Sequence, residues 1–311
     1  MRLRLESWDP EFQEVIEPED EAAGDPAVPV EDAEGPVAPE GPGYEGPLVF
    51  VDGVERVEAH LWVNDRHPGL LYSFAVGAVR LDPDRAALVG EVVTGRYFVS
   101  AEAEPLDLGG PLRYEPLLAA GDRQDLVRAA RERRRAAELA LGDRLIAAEP
   151  GVLLVQDGPL DSALLGRGSA TPRLGFVKSH RRRYLAPGDE ERLMPRRAGE
   201  RTPVLEVPSS ARRSSRPFYT WYLRLPLRPE GVFSRRSAIA RVETDAGLRD
   251  AVRLADLSLP IFTRLASEPY RDPRAPVNLL PVGGLESELR RRLGDRRLVL
   301  RRLSALVFGA G

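Results

Sequence analysis

Along most of the chain, apolar runs alternate with short polar breaks, and the spacing within each run predicts its structure. PLVFVDGVERVEAHLWVND (47–65) has an apolar block that stops at Asp52-Gly53, then alternation at Val57, Ala59, Leu61 and Val63. This predicts a buried strand, a turn and a half-buried strand. LLYSFAVGAVRLD (70–82) and ALVGEVVTGRYFVSAEAEPL (87–106) predict two more strands. The period then changes: in 122–146, Leu126, Ala130, Ala137 and Leu141 mark one stripe of a helix. GVLLVQDGPL (151–160) and RLGFVKSH (173–180) predict buried strands ending at Asp157 and Lys178. Two β-runs follow at 218–227 and 231–245, and helices are expected over 247–268 and 284–306. A strand meander, a helix, then further strands and helices predict an α/β fold with a mixed sheet.

The first 45 residues have no such pattern. Segment 15–47 is rich in Pro, Gly and acid, so residues 1–45 are expected to be disordered and dispensable, with one folded domain over 46–311. The formal net charge of −3 conceals a split. Residues 1–50 hold 14 acids and 2 arginines, a net of −12, and the rest carries a net of +9. The tail reads as a solubilising linker, or as a mimic of nucleic acid over a basic groove. Zero Cys removes disulfides, thiolate nucleophiles and Cys-based zinc sites from consideration. The N-terminus has no apolar leader pattern, and no apolar run reaches the roughly 18 residues of a membrane helix. A cytoplasmic protein is the expectation.

Two apolar runs deliver an acid to a glycine: Asp52 in VFVDG and Asp157 in LLVQDG. Either Asp opens a turn, or the pair holds a cation, since a buried carboxylate is costly without a counter-charge. A third acid, Glu138, borders the apolar stripe of the intervening helix, with Glu132 as its rival. Three carboxylates at one sheet end suit hard divalent cations and displacement at phosphorus. Lys178 is the sole lysine among 45 Lys+Arg. It is a compact point charge in a chain that otherwise uses the wide guanidinium fork. No GxxxxGK[ST] loop exists, GRGSAT fails the dinucleotide fingerprint at Thr171, and His60, His67 and His180 form no spaced zinc set.

The ordered set VDG (51–53), a helical Glu138, QDGPL (156–160) and VKSH (177–180) resembles the NurA family, nucleases encoded beside HerA-type hexameric DNA translocases. The resemblance implies an RNase H-like (Piwi-like) fold, a mixed central sheet flanked by helices. It also implies Mn²⁺-dependent cleavage at DNA ends, with Mg²⁺ as the alternative cation, and a homodimer seated on a HerA-type ATPase ring. It assigns Asp52, Glu138 and Asp157 as metal ligands and Lys178 as a catalytic cation. One departure stands out. The family's C-terminal motif commonly carries a His, whereas APVNLLPVGGLESELRRRLGD has none and offers only Asn278 and Ser287 as uncharged polar side chains.

Arginine clusters follow the expected site residues: Arg181, Arg182 and Arg183; Arg212, Arg213 and Arg216; Arg235 and Arg236. The last two groups flank Phe218, Tyr219, Trp221 and Tyr222, a mixture suited to DNA, whose bases stack while its phosphates pair. Arg181, Arg182, Arg183, Arg235, Arg236 and Tyr222 are therefore the candidate DNA contacts. The competing expectation is a non-catalytic DNA-binding or clamp subunit, which the missing His favours.

Overall fold

The computed structural model describes residues 1–5, 26–39, 44–82, 85–160, 171, 173–178, 184–211, 217–226, 238–268, 270 and 275–309. Strands β1 (Leu3–Leu5) and β2 (Val28–Pro29) precede a meander of three long antiparallel strands, β3 (Leu48–Val63), β4 (His67–Asp82) and β5 (Arg85–Ser100). Two short strands, β6 (Leu106–Asp107) and β7 (Arg113–Leu118), extend the β5 side. Helix α1 (Arg123–Ala148) then crosses to β8 (Leu153–Asp157), which pairs parallel to β3, and β9 (Arg173–Val177) pairs parallel to β8. Helix α2 (Pro187–Leu193), β10 (Leu205–Val207), β11 (Phe218–Arg224) and β12 (Ile239–Thr244) follow. The sheet order is β2-β10-β11-β12-β9-β8-β3-β4-β5-β7-β6, with β1 added to the far end of β3.

Helices cover both faces. α1 starts at a capping box: Asp122 accepts from the backbone N–H groups of Gln124 and Asp125, and Asp125 accepts from that of Asp122. Its stripe, with Leu126, Ala130 and Leu141, packs on Val49, Val51, Tyr72 and Val76. The opposite face carries α3 (Leu248–Leu265) and α4 (Leu280–Leu293), whose Phe262, Leu285 and Leu289 join Phe50, Phe176 and Trp221 in the larger core. Full burial of each such side chain contributes about 1.5–3 kcal/mol. α5 (Arg296–Gly309) packs Val299 and Leu303 beside Leu61, Val63 and Tyr114. Among the described residues no helix is long and apolar enough to cross a membrane.

Three expectations need correction. Asp52-Gly53 does not end a strand, because β3 runs without interruption from Leu48 to Val63. The single C-terminal helix is two, separated at Gly294, whose φ of 76° is open to glycine but strained for other residues. The acidic N-terminal segment is not uniformly outside the fold: β1 pairs with Leu61–Val63, β2 pairs with β10, and Glu31 forms an ion pair with buried Arg201. The first half of the expected 231–245 strand lies outside the described residues.

Candidate metal centre

Alternation along β3 sends Asp52 and Gly53 to opposite faces of the sheet. Asp52 stands opposite Gly77 of β4. A Cβ on Gly77 would lie 2.9 Å from Leu289 Cδ2 and 3.4 Å from Leu285 Cδ1, so this is the α4 face. A Cβ on Gly53 would lie 3.0 Å from Val76 Cγ2 and 3.3 Å from Arg134 Nη1, and would collide with Glu138 Oε1. Gly53 is therefore not a turn residue. Its missing side chain clears the space in which α1 sets the Glu138 carboxylate against β3.

The turn reading holds at Asp157. β8 ends there, Gly158 adopts φ 109°, and its N–H donates to Phe176 O at 2.9 Å. Gly175 on β9 lets this turn lie flat, since a Cβ there would meet Gly158 O and Leu160 N at 2.9 Å each. Pairing of β3 with β8 stops at Val51 and Gln156. Asp52 and Asp157 thus emerge side by side where two parallel strands part.

One carboxylate oxygen each from Asp52, Asp157 and Glu286 lies within 4.8 Å of the others. Glu286 comes from α4, is buried, and accepts from Arg290 Nη2 at 2.9 Å. Glu138 is not one of these three; it is buried on the α1 face, near enough for its charge to be felt at Asp52. Its rival Glu132 is exposed. Burial, then the neighbouring charges of Asp157 and Glu138, push the Asp52 carboxyl well above the ordinary aspartate range. Burial also raises Glu138, against the lowering pull of Arg134 and Arg135. Lys178, just past β9, donates to Asp157 Oδ2 at 2.7 Å and to Asn278 Oδ1 at 2.8 Å. The donor set is convergent carboxylate oxygen, and Asp52 alone of these acids has no ion pair among the described residues, which fits a hard divalent cation.

The structure thus brings together Asp52, Asp157 and Lys178, sets Glu138 within reach of their charge, and adds two residues from the C-terminal stretch. Asn278 anchors the lysine, and Glu286 presents an oxygen to the two aspartates. Ser287 is exposed and bonds back to Gly283 O. The signal for Glu286 was readable, because it borders the apolar stripe of Val282, Leu285 and Leu289 as Glu138 borders its own. A search confined to uncharged replacements for a histidine passes over it.

The expected DNA contacts fare differently. Tyr222 is only 4% exposed, packed with Arg241, and its hydroxyl accepts from Tyr184 N at 3.4 Å. Its ring is core and cannot stack on a base, and the same holds for Phe218 and Trp221. Period-2 alternation cannot reveal this in a strand buried on both faces. Arg181, Arg182, Arg183, Arg212, Arg213, Arg216, Arg235 and Arg236 lie outside the described residues, as does His180.

Among solved structures the chain is similar to the NurA nuclease from Sulfolobus solfataricus, at 12% identity and a TM-score of 0.45, with 81% of this chain and 84% of that chain covered. No curated protein matches it. A family model described as the NurA domain matches residues 48–282, from the first residue of β3 into the first turn of α4. That stretch is more than half of the chain and holds Asp52, Glu138, Asp157, Lys178 and Asn278, while Glu286 falls just beyond it. The chain belongs to the NurA domain family.

Proposed function

We propose that this protein is a metal-dependent nuclease that hydrolyses phosphodiester bonds at DNA ends, acting as a homodimer with a HerA-type hexameric ATPase. Family membership supports the nuclease class. The observation that carries the reading is the convergence of Asp52, Asp157 and Glu286 oxygens within 4.8 Å at the point where β3 and β8 part. A three-stranded meander continued by two parallel strands, with the acids on its central strands, supports an RNase H-like assignment of the fold.

In this reading Asp52, Asp157 and Glu286 hold Mn²⁺ or Mg²⁺, and Glu138 joins them from the α1 side. Such a cation, when bound, supplies Lewis-acid stabilisation of negative charge on the scissile phosphate. Lys178 is fixed by Asp157 and Asn278 at the rim of the cluster, where its ammonium faces incoming phosphate charge. The arginines of 181–183 and 235–236 contact the DNA backbone, which makes binding steeply salt-dependent. The non-catalytic alternative draws on the missing histidine, and the Glu286 carboxylate supplies an oxygen donor that weakens that argument.

Labelled linear DNA should be cleaved with Mn²⁺ and not with EDTA, and a cognate ring ATPase should enhance cleavage. Asp52→Asn and Asp157→Asn should abolish it while salt-dependent DNA binding persists. Lys178→Arg should lose about 10²–10³-fold in turnover, as expected for a group that stabilises transition-state charge. DNA binding with no cleavage under any cation would establish the clamp reading instead.

A further inference from the structure

Arg134 lies four residues before Glu138 on α1, and its guanidinium has three anchors. Nη1 donates to Glu138 Oε1 and, at 3.1 Å, to the carbonyl of Gly53; Nε donates to Glu55 Oε2 at 3.1 Å. Glu55 is itself fixed by the Tyr72 hydroxyl at 2.7 Å and Arg131 Nε at 2.8 Å. One cation therefore ties the main chain directly after Asp52 to the carboxylate that approaches from the other face. Because Arg134 takes Oε1, the structure leaves Glu138 Oε2 with no hydrogen-bond partner among the described residues. Gly53 lies beside this contact: a Cβ there would collide with Oε1 and stand 3.3 Å from Arg134 Nη1.

We propose that Arg134 is a positioning residue for the metal centre, clamping Glu138 Oε1 against Gly53 so that Oε2 is presented to the cation shared with Asp52 and Asp157. This rests on Glu138 being a ligand. A lysine cannot substitute, because a point charge on a single nitrogen lacks the planar fork that reaches three acceptors in fixed directions. The role is distinct from that of a simple counter-charge. A cation that merely neutralised Glu138 would compete with the metal, and its removal would tighten binding.

The test is Mn²⁺ titration of the full chain by calorimetry, using the wild type, Glu138→Gln, Arg134→Gln, Arg134→Lys and the Arg134→Gln/Glu138→Gln double variant, with melting in EDTA as a check of folding. Glu138→Gln should weaken Mn²⁺ binding. Arg134→Gln and Arg134→Lys should each weaken it about 10–100-fold, the range for residues that orient metal ligands. The double variant should bind no worse than the weaker single one, since both changes break the same contact. Should Arg134→Gln not fold, Gly53→Ala pushes directly on Glu138 Oε1 and should weaken Mn²⁺ binding by a similar factor.

Unchanged or tighter binding in Arg134→Gln, with Glu138→Gln weakened, overturns the positioning role and leaves Glu138 as a ligand. Losses that multiply independently in the double variant overturn it as well. Unchanged affinity in Glu138→Gln removes Glu138 from the ligand set, and the inference falls with it.

Discussion

Asp52 is buried and shares its surroundings with Asp157 and Glu138, which together with burial hold its carboxyl well above the ordinary range. A group raised in the folded state costs stability wherever it is ionised. The penalty is complete above the folded pKa, shrinks as pH falls between the folded and unfolded values, and vanishes below about 3.9. Asp52→Asn in EDTA should therefore melt higher than the wild type at neutral pH, by several degrees, and the advantage should fade on acidification. Added Mn²⁺ should stabilise the wild type and not the variant. A neutral-pH melting temperature below the wild type's would mean that the carboxylate makes net favourable contacts and that its charge is already compensated without a metal. At this scale the sequence was informative where chemistry is rare. A sole lysine and two aspartates at the ends of apolar runs could be singled out in advance. Tyr222 could not, because whether an aromatic faces a groove or a core is decided by the neighbouring strands.

The positions of these groups are set by element boundaries, and here the glycines decide. β3 continues through Asp52-Gly53 because Gly53 serves clearance for α1, while the same dipeptide at Asp157-Gly158 does turn. A DG pair reads identically in both places; only the approach of a second element tells them apart. The C-terminal stretch was legible as helical, but its division at Gly294 matters because it leaves α4 short and seated on β3 and β4 with Glu286 facing the aspartates. Gly175 gives the sharpest test of element packing. A Cβ there meets backbone atoms of Gly158 and Leu160 at 2.9 Å, and backbone cannot yield as a flexible side chain can. Gly175→Ala should destabilise by about 1–3 kcal/mol, the usual cost of overpacking, and should displace the turn that carries Asp157. Chemical denaturation reads the first effect and Mn²⁺ affinity the second. An alanine variant with wild-type stability and metal affinity would show that the turn is not set by its approach to β9.

For the whole molecule, the surprise is how the acidic N-terminal segment is used. Composition alone marks it as unable to fold, since it lacks apolar residues for a core of its own. A segment can instead lean on a core that already exists, and 26–39 does so through pairing of β2 with β10 and through one carboxylate. Arg201 is 1% exposed, and its guanidinium donates to both oxygens of Glu31, at 2.7 and 2.8 Å, and to Asp256 of α3 at 2.9 Å through Nε. Burial raises the Glu31 pKa, but hydrogen bonds from Arg201 and Val204 N and the arginine charge more than reverse this, so it is lowered overall. A lowered carboxylate contributes stability above its unfolded pKa of about 4.3 and loses it as pH falls through the folded value. Deleting residues 1–45 should thus destabilise the domain, contrary to what composition suggests. Glu31→Ala should reproduce part of that loss, about 1.5–3 kcal/mol, because it removes a charged hydrogen-bonding partner while Arg201 keeps Asp256. Guanidinium denaturation at pH 7 should show the deficit in both variants. At pH 3 the gap between wild type and Glu31→Ala should narrow as Glu31 begins to protonate. If the truncated chain unfolds at the same denaturant concentration as the full one, the segment is a passenger and the Glu31–Arg201 pair contributes nothing to the fold.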